Sequence, residues 1–247
     1  MPMEGPLVRI VSERLCGFNG RKVVKSFGNA KVDVFRMNSA VIRDIFSRGK
    51  QLIIAFPGFN LRIHFMMYGS WRINAERPGV VPTLGLDFED GMLRFYNCSV
   101  RIIDGDLNGR AFDPEIDITG ENWNRDKVLS LALQQPGAPI CDVLMDQEVF
   151  AGVGNMIKNE ALFDARIHPM SIVASIPRKS LSDLAEKTRE FSMRLYDVEN
   201  AGRSFADLFS VYRRPKCPVS GDGVVMKNTG ERDRVSFFCP ECQRLYK

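Results

Sequence analysis

The chain has 247 residues, 45% hydrophobic and 26% charged, with 20 Gly, 13 Pro and 6 Cys. These are the proportions of a soluble chain with room for two or three compact units, and they exclude disordered and collagen-like polymers. No apolar run approaches about 18 residues, and MPMEGPLVRI lacks the basic-then-apolar pattern of an export signal. No membrane association is expected, and the six Cys read as reduced thiols in a cytoplasm.

The net charge of +4 is unevenly spread. Residues 1–80 hold 13 Lys/Arg against 5 Asp/Glu, and residues 211–247 hold 8 against 4. Residues 81–120 are acidic, with 3 against 8, and residues 121–210 mildly so, with 10 against 13. Basic segments at both ends are the footprint expected of a phosphate-backbone binder, although solvated surface charge gives the same count.

From Val8 to about Ile118 the apolar residues alternate in short runs: KVDVF (31–35), QLIIAF (51–56), LRIHF (61–65), SWRI (70–73), LGLDF (84–88), MLRFY (92–96) and SVRII (99–103). Pro57-Gly58, Pro78-Gly79 and Asp90-Gly91 punctuate them, which predicts antiparallel strands in a sandwich. From about Asn124 to Tyr196 the apolar spacing turns helical, as in Val128, Leu129, Leu131 and in Leu181, Leu184, Phe191, Leu195. The expected class is α+β, with an N-terminal β-sandwich at 1–118, a helical domain at 119–210 and a small finger at 211–247.

Within the helical part, DQEVFAGVGNMIKNEALFDARIHP (146–169) runs an apolar helix end into Gly152-Val153-Gly154-Asn155 and a second helix. Glycines at a helix start let backbone N–H groups approach an anion, and Asn155 can cap the helix or donate to a phosphate. In the finger, Cys217, Cys239 and Cys242 stand as C-x21-C-x2-C, with Ser220 where a four-thiolate zinc ribbon would carry its remaining Cys. Three thiolates can hold zinc with water or Asp222 as fourth ligand; the alternative is a hairpin held by packing, with unligated thiols.

Five segments in the same order resemble the formamidopyrimidine-DNA glycosylase and endonuclease VIII family of base-excision repair enzymes. EGPLVR (4–9) is similar to its N-terminal motif, and SRGKQL (47–52) to the segment bearing its active-site lysine, here Lys50. HFMMYGSW (64–71) is similar to its H-x-x-M-x-G-S segment, with His64 and with Met67 at the inserted-methionine position. DQEVFAGVGN resembles its helix–two-turns–helix signature, and RVSFFCPECQ (234–243) the end of its zinc finger, with Arg234 at the phosphate-binding arginine. The resemblance implies two lobes with damaged DNA between them. Lys50, His64, Asn155 and Arg234 are expected to converge on its phosphates.

The implied chemistry is base excision with strand cleavage. An N-terminal proline amine attacks the sugar C1′, the base leaves, and the resulting Schiff base undergoes elimination. Pro2 is that candidate; an α-amino group of pKa about 7.7–8.0 is partly neutral near pH 7. Glu4 is the acid/base candidate, and Lys50 brings positive charge to the reacting nucleotide. Met3 departs from the family pattern, in which the proline directly precedes the glutamate. One extra residue shifts the amine by up to about 3.3–3.6 Å. The terminus can bulge, the mature start can be Met3, or the chain can bind damaged DNA without cutting it.

Met67 is read as the wedge that fills the hole left by an everted base, against the commoner role of a core Met. Arg101 is the candidate for the opposite strand. YNCSVRII (96–103) departs from the D-P-R-R-F-G loop of the formamidopyrimidine branch, and ENAGRSF (199–205) is short where that branch has a long loop. Both favour an endonuclease VIII-like preference for oxidised pyrimidines. Double-stranded damaged DNA is the expected partner, single strands stay open as substrate, and a monomer is expected. An RNA-binding role, suggested by the helix–turn–helix and finger together, is disfavoured by the HFMMYG segment.

Overall fold

The structure, a computed structural model, describes residues 3–107 and 112–247. Contacts divide the chain into two compact units, Met1–Gly109 and Arg110–Lys247.

The first unit opens on a helix, α1 (Gly5–Leu15). Pro6 in its first turn supplies a helical φ where no N–H bond is needed. Leu7, Val8, Ile10, Val11 and Leu15 recur at helical spacing and are buried. The strand texture expected from Val8 therefore begins later, because the 3.6-residue period at 7–15 overrides the short alternation around it.

Six strands follow: β1 (Lys25–Phe27), β2 (Asp44–Arg48), β3 (Gln51–Phe56), β4 (Phe59–Ile73), β5 (Leu84–Phe88) and β6 (Gly91–Asp104). Hydrogen bonds join them into one antiparallel sheet in the order β1-β5-β6-β4-β3-β2. The antiparallel sheet agrees with the alternating runs. LRIHF and SWRI belong to one long strand, as do MLRFY and SVRII. Leu52, Ile54, Leu61, Ile63, Leu84, Leu93 and Phe95 meet Val8, Val11 and Leu15 of α1 in a single core. KVDVF (31–35), expected as a strand, instead enters a 3-10 turn at Val34–Met37. Asp33 causes this: its carboxylate accepts the Phe35 N–H, a local bond that competes with a ladder.

The second unit holds α2 (Arg125–Leu133), α3 (Ile140–Met145), α4 (Asn155–Asp164) and α5 (Arg178–Asn200), then a hairpin of β7 (Val225–Thr229) and β8 (Arg234–Phe238). Asn124 caps α2 by accepting the Lys127 N–H at 3.1 Å, and Pro177 starts α5. α4 is buried from Met156 through Phe163, including the charged Lys158 and Glu160. The Glu160 carboxylate accepts three backbone N–H groups, from Ser210 at 2.8 Å, Val211 at 3.0 Å and Tyr212 at 2.7 Å. It thereby ties the segment that enters the hairpin to the centre of the helical unit. Burial pushes its carboxyl up from the ordinary glutamate value, and the three N–H groups pull against that.

Glu160→Gln should cost about 1–3 kcal/mol, because an amide nitrogen must then face one of the three buried N–H donors. Urea unfolding of both proteins measures it; an unchanged midpoint would show that the carboxylate anchors nothing.

Candidate functional site

In the first unit, Glu4 stands directly before α1 in extended conformation and is only 1% exposed. Its carbonyl accepts the Leu7 and Val8 N–H groups, which fixes the start of the helix. Met3 packs against the core, and Pro2 lies outside the described residues. Lys50 is the second residue of the two-residue turn between β2 and β3, made by Gly49 at φ 52°. Its carbonyl lies 3.2 Å from His64 Nδ1 on β4, so the structure brings Lys50 and His64 together.

Burial holds the His64 pKa below the usual imidazole value; the Lys50 carbonyl opposes this, and the charges of Lys50 and Arg62 reinforce it. Nδ1–H donating to the Lys50 carbonyl leaves Nε2 bare in the neutral ring, so His64 must gain a proton to donate to an anion there.

Met67 lies neither on a core face nor on a loop joining two strands. It sits on a bulge inside β4. The ladder to β6 runs to Phe65↔Cys98 and resumes at Ser70↔Tyr96, so residues 66–69 face Asn97 alone. Met66, Met67 and Tyr68 are 48%, 62% and 72% exposed. Asn97 Nδ2 donates to the Met67 carbonyl at 2.7 Å. Tyr68 and Asn97 both adopt left-handed backbone, at φ 68° and 49°. Gly69 closes the bulge: a Cβ there would lie 2.8 Å from the Asn97 carbonyl oxygen and 3.0 Å from that of Met66. Asn97 and Gly69 were invisible as partners because their pairing depends on register.

Arg101, exposed on β6, stands directly opposite Arg62 on β4. Burial and then the charge of Arg101 hold the Arg62 guanidinium below its ordinary pKa. Like charges paired across a ladder destabilise it, and a bound anion relieves them. Arg62 is a basic candidate missed in the sequence for want of the register.

In the second unit, Gly152 turns the chain at φ 99° and Gly154 is the residue that caps α4. Asn155 is therefore the first helical residue and does not cap the helix with its side chain. Its Oδ1 is buried without a hydrogen-bond partner among the described residues. Arg234 is exposed at the start of β8, opposite Thr229.

The sulfurs of Cys217, Cys239 and Cys242 lie within 4.8 Å of one another. Cys217 Sγ and Cys242 Sγ are 3.7 Å apart. Tetrahedral zinc with bonds of about 2.3 Å holds thiolates about 3.8 Å apart, so the set fits a metal ion. Ser220 Oγ lies 3.4 Å from Cys239 Sγ, while Asp222 contributes only backbone, its N–H to Ser220 Oγ and its carbonyl to the Cys217 N–H. The residue beside the thiols is thus Ser220 and not Asp222. Burial opposes the Cys217 thiolate, but the N–H groups of Ser220 and Val219 and the Ser220 hydroxyl bring its pKa down to about 6.

Residues 119–195 match the formamidopyrimidine-DNA glycosylase H2TH domain. Over 214 residues, 84% of this chain, the sequence is 35% identical to endonuclease 8-like 3 of Mus musculus, and the match covers 35% of that protein. The chain thus spans about a third of the length of the endonuclease 8-like 3 proteins it matches. A viral DNA glycosylase superposes with a TM-score of 0.86 at 23% identity, covering 98% of this chain and 100% of that one. A Lactococcus lactis formamidopyrimidine-DNA glycosylase, non-covalently bound to DNA with an abasic site, superposes with a TM-score of 0.83 at 23% identity, over 98% and 99%. The fold is that of the H2TH DNA glycosylases. The chain carries an H2TH domain of the formamidopyrimidine-DNA glycosylase type and is a homologue of the endonuclease 8-like proteins.

Asn97→Ala removes the donor on the Met67 carbonyl and disfavours the left-handed backbone at 97. Amide hydrogen exchange at residues 66–70 should accelerate by about tenfold or more while the rest of the sheet keeps its protection. Unchanged exchange at the bulge would show that Asn97 does not hold it.

Proposed function

We propose that the chain is a bifunctional DNA glycosylase and abasic-site lyase acting on oxidised bases, pyrimidines above all, as a monomer on double-stranded DNA. The observation that carries this reading is the 35% identity to an endonuclease 8-like protein over 84% of the chain. No described helix is long and apolar enough to cross a membrane. The cytoplasm, with its DNA, is the proposed compartment.

Pro2 supplies the nucleophile once the initiator Met is removed. Its amine lone pair forms a bond to C1′ as the base departs with the glycosidic electrons and takes up a proton. Opening of the sugar ring gives an iminium, because the nitrogen of proline is secondary. Loss of a C2′ proton then expels the 3′ phosphate and breaks the strand. Glu4 moves protons at the sugar, and its burial holds it out of bulk water. Lys50 supplies positive charge at the reacting nucleotide. Met67, exposed on a bulge whose backbone Asn97 and Gly69 fix, fills the space vacated by the base. Arg101 reaches for the opposite strand, while His64, Asn155 and Arg234 take phosphates.

Two features favour pyrimidines. YNCSVRII carries Arg101 but no D-P-R-R-F-G sequence, and only residues 201–205 connect α5 to the 3-10 turn at Ala206–Leu208. Cys217, Cys239 and Cys242 would hold zinc, with the Ser220 hydroxyl beside them at 3.4 Å from Cys239 Sγ. Bound there, zinc supplies structural order to the base of the hairpin that presents Arg234.

Borohydride trapping on a duplex with an oxidised pyrimidine, with intact mass of the terminus, tests the chemistry. A covalent adduct that disappears on acetylating the terminal amine is expected. An adduct surviving acetylation would assign the nucleophile to another amine, such as Lys50. Tight binding with no adduct would favour the alternative suggested by Met3, a damaged-DNA-binding protein with impaired catalysis.

Ser220→Cys should slow zinc loss to a chelator by about tenfold or more, since a fourth thiolate brings charge that a neutral hydroxyl lacks. Elemental analysis after chelation reads this directly. Zinc that already survives strong chelation in the unaltered protein would show that Ser220 or another ligand completes the site unaided.

A further inference from the structure

α4 carries three buried polar side chains that the proposed chemistry does not use: Glu160, which holds residues 210–212, and Lys158 and Asn159, exposed to 0% and 1%. Asn159 is engaged at both ends of its amide. Its Nδ2 donates to the Asn155 carbonyl at 2.6 Å, and its Oδ1 accepts the Phe237 N–H at 2.9 Å. One planar group therefore bridges the first residue of α4 to the strand that begins at Arg234. Lys158 adds a second tie to that strand: its Nζ donates to Ser236 Oγ at 2.8 Å and to the Val235 carbonyl at 3.3 Å. Ser236 Oγ in turn meets Thr229 Oγ1 at 2.5 Å, and Thr229 is the register partner of Arg234.

We propose that Asn159 is a positioning residue that sets the spacing between Asn155 and Arg234, with Lys158 fixing the strand behind Arg234. Two phosphates on one DNA strand stand at a separation dictated by the sugar-phosphate repeat. A protein that grips both needs its two donors at a matching separation before binding, or it loses conformational entropy when they are ordered. Neither hairpin nor helix turn holds that distance by itself, since they are far apart in sequence and, among the described residues, β7 and β8 pair only with each other. The amide of Asn159 is the direct link. The turn beyond β7 is tied as well, by the Asp142 carboxylate accepting the Glu231 N–H at 2.6 Å, but that bond holds the tip and leaves the Arg234 end to α4.

This inference rests on the reading of Asn155 and Arg234 as phosphate contacts, and a double-mutant cycle separates the two. The full chain is titrated against a duplex bearing a tetrahydrofuran abasic analogue, at several salt concentrations, as the unaltered protein, Asn159→Ala, Arg234→Ala and the double variant. Asn159→Ala is expected to weaken binding about tenfold and to lower the salt slope by roughly one counterion. In the Arg234→Ala background the same change should cost less than about twofold, because the group it positions is gone. A merely structural role predicts the same factor in both backgrounds, and that result would overturn the proposal. So would a harmless Asn159→Ala beside a damaging Arg234→Ala, which would leave the phosphate reading standing. Arg234→Ala without effect on affinity or slope would sink the phosphate reading and this one with it. If Asn159→Ala fails to fold, the isosteric Asn159→Asp decides. It keeps the acceptor for Phe237 and turns a repulsive oxygen on the Asn155 carbonyl, so its loss of affinity should shrink in an Asn155→Ala background; an undiminished loss would overturn the proposal.

Discussion

The second unit depends on one constraint: α4 is buried on all sides and still carries Lys158, Asn159 and Glu160 in consecutive positions. A buried polar group is costly unless it is hydrogen-bonded. Each of the three meets that requirement with a different piece of the chain. Glu160 holds residues 210–212, Asn159 holds Phe237 and the helix start, and Lys158 holds Val235 and Ser236. A short two-stranded hairpin is marginal alone. Here it borrows its order from a helix, and the thiol cluster and the Phe209–Tyr212–Phe237 ring contacts close its base.

The first unit solves a related problem in a sheet. Met67, the proposed wedge, stays exposed against the tendency of Met to bury itself. The bulge in β4 achieves this by breaking the ladder over residues 66–69, which would otherwise alternate between core and solvent. Strained backbone at Tyr68 and Asn97 and the missing Cβ of Gly69 are stable only because the ladder resumes on both sides. In both units an exposed functional candidate rests on a partner with no exposed chemistry of its own.

That division explains what could be read from sequence. Periodicity and turn residues were enough for the sheet, for α2 and α5 and for the hairpin, and the ordered motifs were enough for the family. α1 escaped notice because its apolar residues lie close to a region of alternating ones, and KVDVF misled because a single Asp33 side chain outcompeted the ladder. Asn155 can cap a helix by residue type, but Gly154 takes the cap because its extended backbone, at φ −118° and ψ −165°, begins the helix one residue earlier. Arg62, Asn97 and Asn159 were illegible for a common reason. Each acts through a neighbour set by strand register or helix docking, and no spacing within the sequence encodes that neighbour.

The electrostatics of the two units point the same way. Arg62 faces Arg101 across the ladder, and the imidazole of His64 is held below its usual pKa by burial and by the charges of Lys50 and Arg62. Asn155 Oδ1 is buried without a partner among the described residues. The arginine pair is a cost of unbalanced positive charge, while at His64 burial is the larger cause and the two neighbouring charges add to it. A polyanion opposes the part that positive charge plays in both. It screens the arginine pair, and it raises the His64 pKa so that the ring gains a proton and with it a second donor. Counterion release adds a term that grows as salt falls. The excess of 13 basic over 5 acidic residues in 1–80 thus marks more than surface solvation, because part of it is concentrated where the sheet itself is destabilised by like charge.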